Sequence, residues 1–124
     1  MQRGRTRSDV ATDMLSYDRT LSAAERQARA NAQSQIFGLF LERNQRGSEA
    51  EQQGNLDAAI ELFEANLVDG FTGQHSYDRL RIIYTKRKDW PNVIRVCRAY
   101  LAIPNTTEAK RAKFEKALIK AEAK

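Results

Sequence analysis

The sequence predicts an all-α fold, and three observations carry the expectation. Apolar residues recur at three- and four-residue steps, as in Leu56, Ala59, Ile60, Phe63 and Leu67, whereas Val, Ile and Thr never alternate over a long run. The two prolines, Pro91 and Pro104, fall where helices begin or end. One helix–turn–helix pattern also returns at a fixed interval. Asn55, Leu56, Ile60 and Leu67 are answered by Asp89, Trp90, Ile94 and Leu101, each 34 residues further on. A period of that length belongs to stacked helical repeats, whose units bury their apolar faces against one another.

Taken in order, Met1 to Arg7 (residues 1–7) is polar and rich in arginine, which reads as a disordered basic tail. A helical segment is expected over residues 8–39, where Val10, Met14, Tyr17 and Leu21 share one face. Ser22 and Glu25 have the spacing of a capping box and mark a second start. Behind them Ala24, Ala28, Ala32, Ile36 and Phe40 form a narrow stripe, and residues 8–53 fit one long helix or two. Residues 40–104 hold the two repeated units. Gly54 suits a left-handed helix end, Asn55 caps the next helix, and that helix runs from Leu56 to Val68 before Asp69-Gly70. Beyond the loop of Phe71 to Gln74, a helix begins near Ser76 and carries Tyr77, Leu80, Ile83 and Tyr84 inward. It ends in Lys86-Arg87-Lys88, where positive charge complements the helix dipole. Asp89 caps the following helix, which ends near Ile103-Pro104. Asn105 and Glu108 have capping-box spacing for a lysine-rich last helix through Lys120, a polar cap over residues 105–124.

These residues resemble the tetratricopeptide repeat family, as two degenerate units. The family's Ala-x3-Phe stands as Ala59 and Phe63, and its first-helix pattern as Tyr77, Leu80, Arg81 and Tyr84 in the second unit. Gly47 holds the small-residue position of the first unit. Each unit departs in its other half. Arg43, Arg46 and Ala50 replace the first unit's Trp, Leu and Tyr, and Val93 and Cys97 replace the second unit's Ala and Phe. The stretch from Gly70 to Leu80 is also similar to a segment of uncharacterised bacterial repeat proteins.

The resemblance implies a short α-solenoid acting as a non-enzymatic protein–protein interaction module, an adaptor or scaffold. It also implies a partner-binding groove lined by first helices, here at Leu41, Asn44, Ser48, Gln52, Asp78, Ile82, Thr85 and Lys86. Members that grip a partner's terminal carboxylate use Lys and Asn at set places. Asn44, Ser48 and Arg79 stand there instead. Leu41 and Ile82 are apolar where a groove would face water. A partner protein or peptide, a second copy of this chain or its own N-terminal helix is expected to cover them.

Composition narrows the alternatives. Apolar residues make up 41% and charged residues 30%, as in a soluble helical protein. A single cysteine excludes an internal disulfide, and with no secretory signal or membrane-length apolar run a cytoplasmic location is expected. Nucleophilic catalysis has only His75 and Cys97 to draw on, and nothing in the sequence brings them together, so no enzymatic activity is expected. No Cys or His cluster suggests a metal, and no glycine-rich loop suggests a phosphate cofactor. Charge is more informative. The net +5 divides into six basic against four acidic residues over 1–33, two against seven over 34–71 and thirteen against five over 72–124. Lys86, Arg87, Lys88, Arg95 and Arg98 form a candidate polyanion patch, and Lys110, Arg111, Lys113, Lys116 and Lys120 follow on the last helix. The alternatives to an interaction module are therefore a basic nucleic-acid-associated protein and an oligomeric component of a larger assembly.

Overall fold

In the computed structural model, which describes residues 21–124, every regular element is a helix. These are α1 (Ala23–Gln52), α2 (Leu56–Val68), α3 (Gln74–Lys86), α4 (Trp90–Leu101) and α5 (Glu108–Glu122). The basic tail and the face formed by Val10, Met14 and Tyr17 lie outside the described residues. Ser22 and Glu25 make the expected reciprocal cap: the Ser22 N–H donates to Glu25 Oε1 at 2.8 Å and the Glu25 N–H to Ser22 Oγ at 3.1 Å. From there α1 continues unbroken from Ala23 to Gln52, and the part of the expected segment before residue 21 lies outside the described residues. Two expected starts move. The third helix begins at Gln74, two residues before Ser76, on an extended Gly73 that offers no side-chain cap. The last helix is capped by Thr107 and not by Asn105, because Asn105 turns into the left-handed region at φ 64° and Thr107 Oγ accepts the Lys110 N–H at 3.2 Å.

Two compact units divide the chain, residues 1–38 and 39–124. Of the first, the described part is the opening of α1, whose alanine stripe is exposed together with Ile36. The second holds the core. Short turns reverse the chain between successive helices: Asp57 at the start of α2 bonds Arg87 beyond the end of α3 at 2.9 Å, and Leu101 at the end of α4 accepts from Arg111 at 3.0 Å. Alternate helices are bonded as well. Glu51 of α1 meets Arg79 of α3, Asp78 of α3 meets Lys113 of α5, and Glu64 of α2 meets Arg95 of α4. The result is one row of α1, α3 and α5 and another of α2 and α4, with Phe63, Leu80, Ile83, Val96, Tyr100 and Phe114 fully buried between neighbours.

The 34-residue interval is written in the backbone. Asn55 caps α2 with φ −89° and ψ 77°, and Asp89 caps α4 with φ −89° and ψ 73°. Before them Gly54 (φ 81°) and Lys88 (φ 56°) both take the left-handed conformation. The closing bonds match too: the Asn55 N–H reaches Ala50 O at 2.8 Å and the Asp89 N–H reaches Tyr84 O at 2.9 Å. Glycine enters that conformation freely, whereas Lys88 enters it against its own Cβ.

The two helix pairs carry opposite side-chain sizes at corresponding positions. In the first pair Gly47 lets α1 approach Phe63 so closely that a Cβ added at Gly47 would lie 2.7 Å from two atoms of the ring. The corresponding positions of the second pair are Arg81 and Cys97, a large residue where the first has glycine and a small one where it has phenylalanine. Arg81 extends over the Phe114 ring, its guanidinium carbon 5.6 Å from the centroid, while Cys97 is completely buried. Swapping large for small across a contact conserves volume, which well-packed interiors require.

Candidate functional site

The groove positions fall on the row of first helices, and the structure gives them unequal freedom. Asn44 is committed to a buried polar junction. Ser76 donates to Asn44 Oδ1 at 2.6 Å, and Asn66, fully buried on α2, shares its amide hydrogens among Asn44 Oδ1, Ser76 Oγ and the Phe40 carbonyl, each at 3.1 Å. A buried amide must be bonded, and this junction ties α1, α2 and α3 together. Ser48 lies 3.0 Å from His75 Nε2. Asp78 bonds Arg81 at 2.7 Å and approaches Lys113 at 3.8 Å. Leu41 is 48% exposed, Ile82 is half-buried, and Gln52, Thr85 and Lys86 are exposed. The groove that the residues imply is therefore partly occupied by its own scaffold: Asn44, Ser48 and Asp78 hold neighbouring helices. Arg79, at the place of a carboxylate-gripping residue, is likewise engaged by Glu51 through both carboxylate oxygens, and that bond raises its pKa.

The candidate polyanion patch is largely neutralised within the chain. Arg87 pairs with Asp57 at 2.9 Å, Arg98 with Glu122 at 2.6 Å, and Arg95 with Glu64 through both carboxylate oxygens, a bond that raises the Arg95 pKa. Glu64 also accepts from Tyr84, whose burial, reinforced by that bond, pushes its hydroxyl pKa up. Of the five patch residues, Lys86 and Lys88 alone have no carboxylate partner among the described residues. Paired surface arginines do not offer a free phosphate track.

Positive charge gathers elsewhere. A cavity of about 450 Å³ lies between α3, the start of α4 and α5. Arg81 and Thr85 line it from α3, Trp90 and Val93 from α4, and Lys113, Lys116, Ala117, Lys120, Ala121 and Lys124 from α5 and the residues after it. Of the groove positions, Thr85 alone reaches this cavity. The lysine positions 113, 116, 120 and 124 are three to four apart, so they share one helical face. Trp90 packs against the core, as its repeat position suggests, without being fully buried. It is half-buried, forms a wall of the cavity, and has Lys124 Nζ 5.4 Å from its ring centroid. Arg81 bridges core and cavity: its Nη2 bonds Asp78, whereas its Nε is buried with no hydrogen-bond partner among the described residues.

Cys97 and His75 are not brought together. Cys97 lies in the core, where burial, opposed by the nearby Arg81 charge, pushes its thiol pKa up to about 11. A thiol held protonated in this way is a poor nucleophile. His75 instead pairs with Ser48 and sets its ring edge-on to Phe63, 5.6 Å between centroids. Among the described residues no carboxylate is bonded to the imidazole. No helix among the described residues is long and apolar enough to cross a membrane.

Sequence reasoning missed the Asn44–Asn66–Ser76 junction and the cavity. An asparagine in mid-helix on an otherwise apolar face, as Asn66 is between Phe63 and Leu67, was the available signal for the first. The lysine spacing on α5 was the signal for the second, but the facing wall of α3 and Trp90 is set by tertiary packing. Comparison with known proteins brings no match to this chain among family models, curated proteins or solved structures.

Proposed function

We propose that this chain is a non-enzymatic protein–protein interaction module of the cytoplasm, a short α-solenoid of two tetratricopeptide-like units closed by α5. The observation that carries the reading is the row of first helices. From Leu39 onward α1 is bonded to α3, and α3 to α5, by Glu51–Arg79, Asn44–Ser76 and Asp78–Lys113, so the row is a fixed surface. Leu41 stands outward on it, and Ile82 is left half-buried. The recurrence of cap geometry at a 34-residue interval supports the repeat assignment. A rigid face with apolar positions among polar ones suits recognition of a partner segment, because little ordering entropy is lost on binding. A nucleic-acid role is the weaker alternative, since Arg87, Arg95 and Arg98 already have carboxylate partners.

Paired surface variants test the reading. Leu41→Asp alters the proposed face, and Val68→Asp places the same charge at the end of α2, where Val68 is 82% exposed. Proteins captured from a cell extract by the parent chain should be lost from Leu41→Asp and retained by Val68→Asp. Equal capture by all three would show that the first-helix row is not the binding face.

A further inference from the structure

We propose that the cavity between α3 and α5 is a binding pocket for a compact ligand carrying several phosphate groups. This site adjoins the proposed protein-binding face through α3 and α5, but it does not rest on that reading. Five cationic side chains, Arg81, Lys113, Lys116, Lys120 and Lys124, line about 450 Å³, and no acidic side chain lines it with them. Asp78 bonds Arg81 and Lys113 and offsets part of that charge, but Lys116 and Lys120 have no ion-pair partner among the described residues. Lysines four apart on one helix, as 116 and 120 are, repel one another in the absence of an anion, and Lys124 follows just beyond the helix end. Arg87, Arg95 and Arg98 of the neighbouring surface are each paired with a carboxylate, in contrast to Lys116 and Lys120 here.

Charge density selects the ligand class. An extended acidic peptide spreads one charge per residue along a groove and cannot concentrate several within a pocket of this size. Nucleic acid tracks an extended basic surface with several aromatic platforms, whereas Arg87, Arg95 and Arg98 beyond the cavity are paired and Trp90 is the only tryptophan. Linked phosphates carry several charges within one small volume, and lysine ammonium groups meet them as compact point charges. The volume falls within the range of pockets for small ligands. Trp90 and the apolar floor of Val93, Ala117 and Ala121 leave room for a ligand with a flat or apolar part beside its phosphates.

Because Trp90 is the single tryptophan and forms a wall of the pocket, its fluorescence reports on this site alone. The full-length chain is titrated with tripolyphosphate, a nucleoside triphosphate, inositol hexakisphosphate, an acidic peptide and a single-stranded oligonucleotide. Saturable one-to-one binding of at least one of the three compact phosphates, tighter than of the peptide or oligonucleotide, is expected. Preference for the nucleoside triphosphate would place the base against Trp90, and preference for the others would place phosphates alone in the pocket. Lys116→Gln combined with Lys120→Gln should weaken binding about tenfold or more, by removing two charge-assisted contacts. Arg46→Gln with Lys110→Gln removes equal charge outside the cavity and should change affinity less than about threefold. No saturable response to any compact phosphate, equal losses in the two double variants, or tighter binding of the peptide or oligonucleotide would overturn the proposal.

Discussion

Gly47 tests the packing account most sharply, because its cost can be separated from helix propensity. An alanine Cβ at Gly47 would sit 2.7 Å from Cε1 and Cζ of Phe63, whereas a Cβ at Gly38 of the same helix meets nothing within 4 Å. Both changes replace glycine within α1, and by propensity alone each should stabilise by roughly 0.5–1 kcal/mol. Only Gly47→Ala overpacks a core contact, at a cost of about 1–3 kcal/mol. The expected result is a gap of about 1–3 kcal/mol between the two variants, with Gly47→Ala the less stable. At ~4–8 °C per kcal/mol for a domain of this size, the gap is resolvable in thermal melts followed by circular dichroism. Shortening the ring with Phe63→Leu should recover part of the loss, as a coupling of about 0.5 kcal/mol or more in a double-mutant cycle. Gly47→Ala as stable as Gly38→Ala would refute the close approach of α1 to Phe63.

Two further outcomes follow from the backbone and the core. Lys88 and Gly54 occupy the same left-handed position 34 residues apart, so Lys88→Gly should stabilise by up to ~1 kcal/mol and Gly54→Ala should destabilise by about 1–2 kcal/mol, read from urea denaturation midpoints. The Cys97 thiol has a folded pKa raised from 9.0 to about 11, and that of Tyr84 is raised in the same direction. Both groups are therefore neutral in the fold, and their contribution is complete below about pH 9. It declines as pH rises through the Cys97 pKa near 11, while the unfolded groups ionise first. Denaturation midpoints should fall between pH 8.5 and 10.5, and less steeply in Cys97→Ala. A flat profile in the parent would contradict the burial of these two groups.

How much of this was legible in the sequence depends on the range of the interaction. Caps made by neighbours were readable: Ser22 with Glu25, Asn55 and Asp89 each act within four residues, and each was found where its spacing placed it. Asn105 misled because its spacing to Glu108 is right while its backbone is left-handed, and Thr107 offers an equally good cap two residues later. Phe63 and Leu80 were placed in the core by period alone. Residues acting across helices were not readable. The groove position Asn44 meets Ser76 on another helix, and Arg95, counted as free charge, meets Glu64 thirty-one residues away. Charge counts along a chain do not tell which charges cancel in space. Trp90 shows the same limit: its position in the repeat pattern points to the core, against which it packs, but not to the cavity that it also lines.

The central claim is that the row of α1, α3 and α5 receives a protein partner. Its most direct measurement is a map of backbone amide shifts in the isotope-labelled chain on adding the protein captured by the parent chain. The account predicts that the largest shifts fall on exposed or half-buried positions of that row, from Leu41 to Gln52, on Asp78 to Lys86 and along α5, with α2 and α4 nearly unmoved. Largest shifts on α2 and α4, with the first-helix row silent, would contradict it.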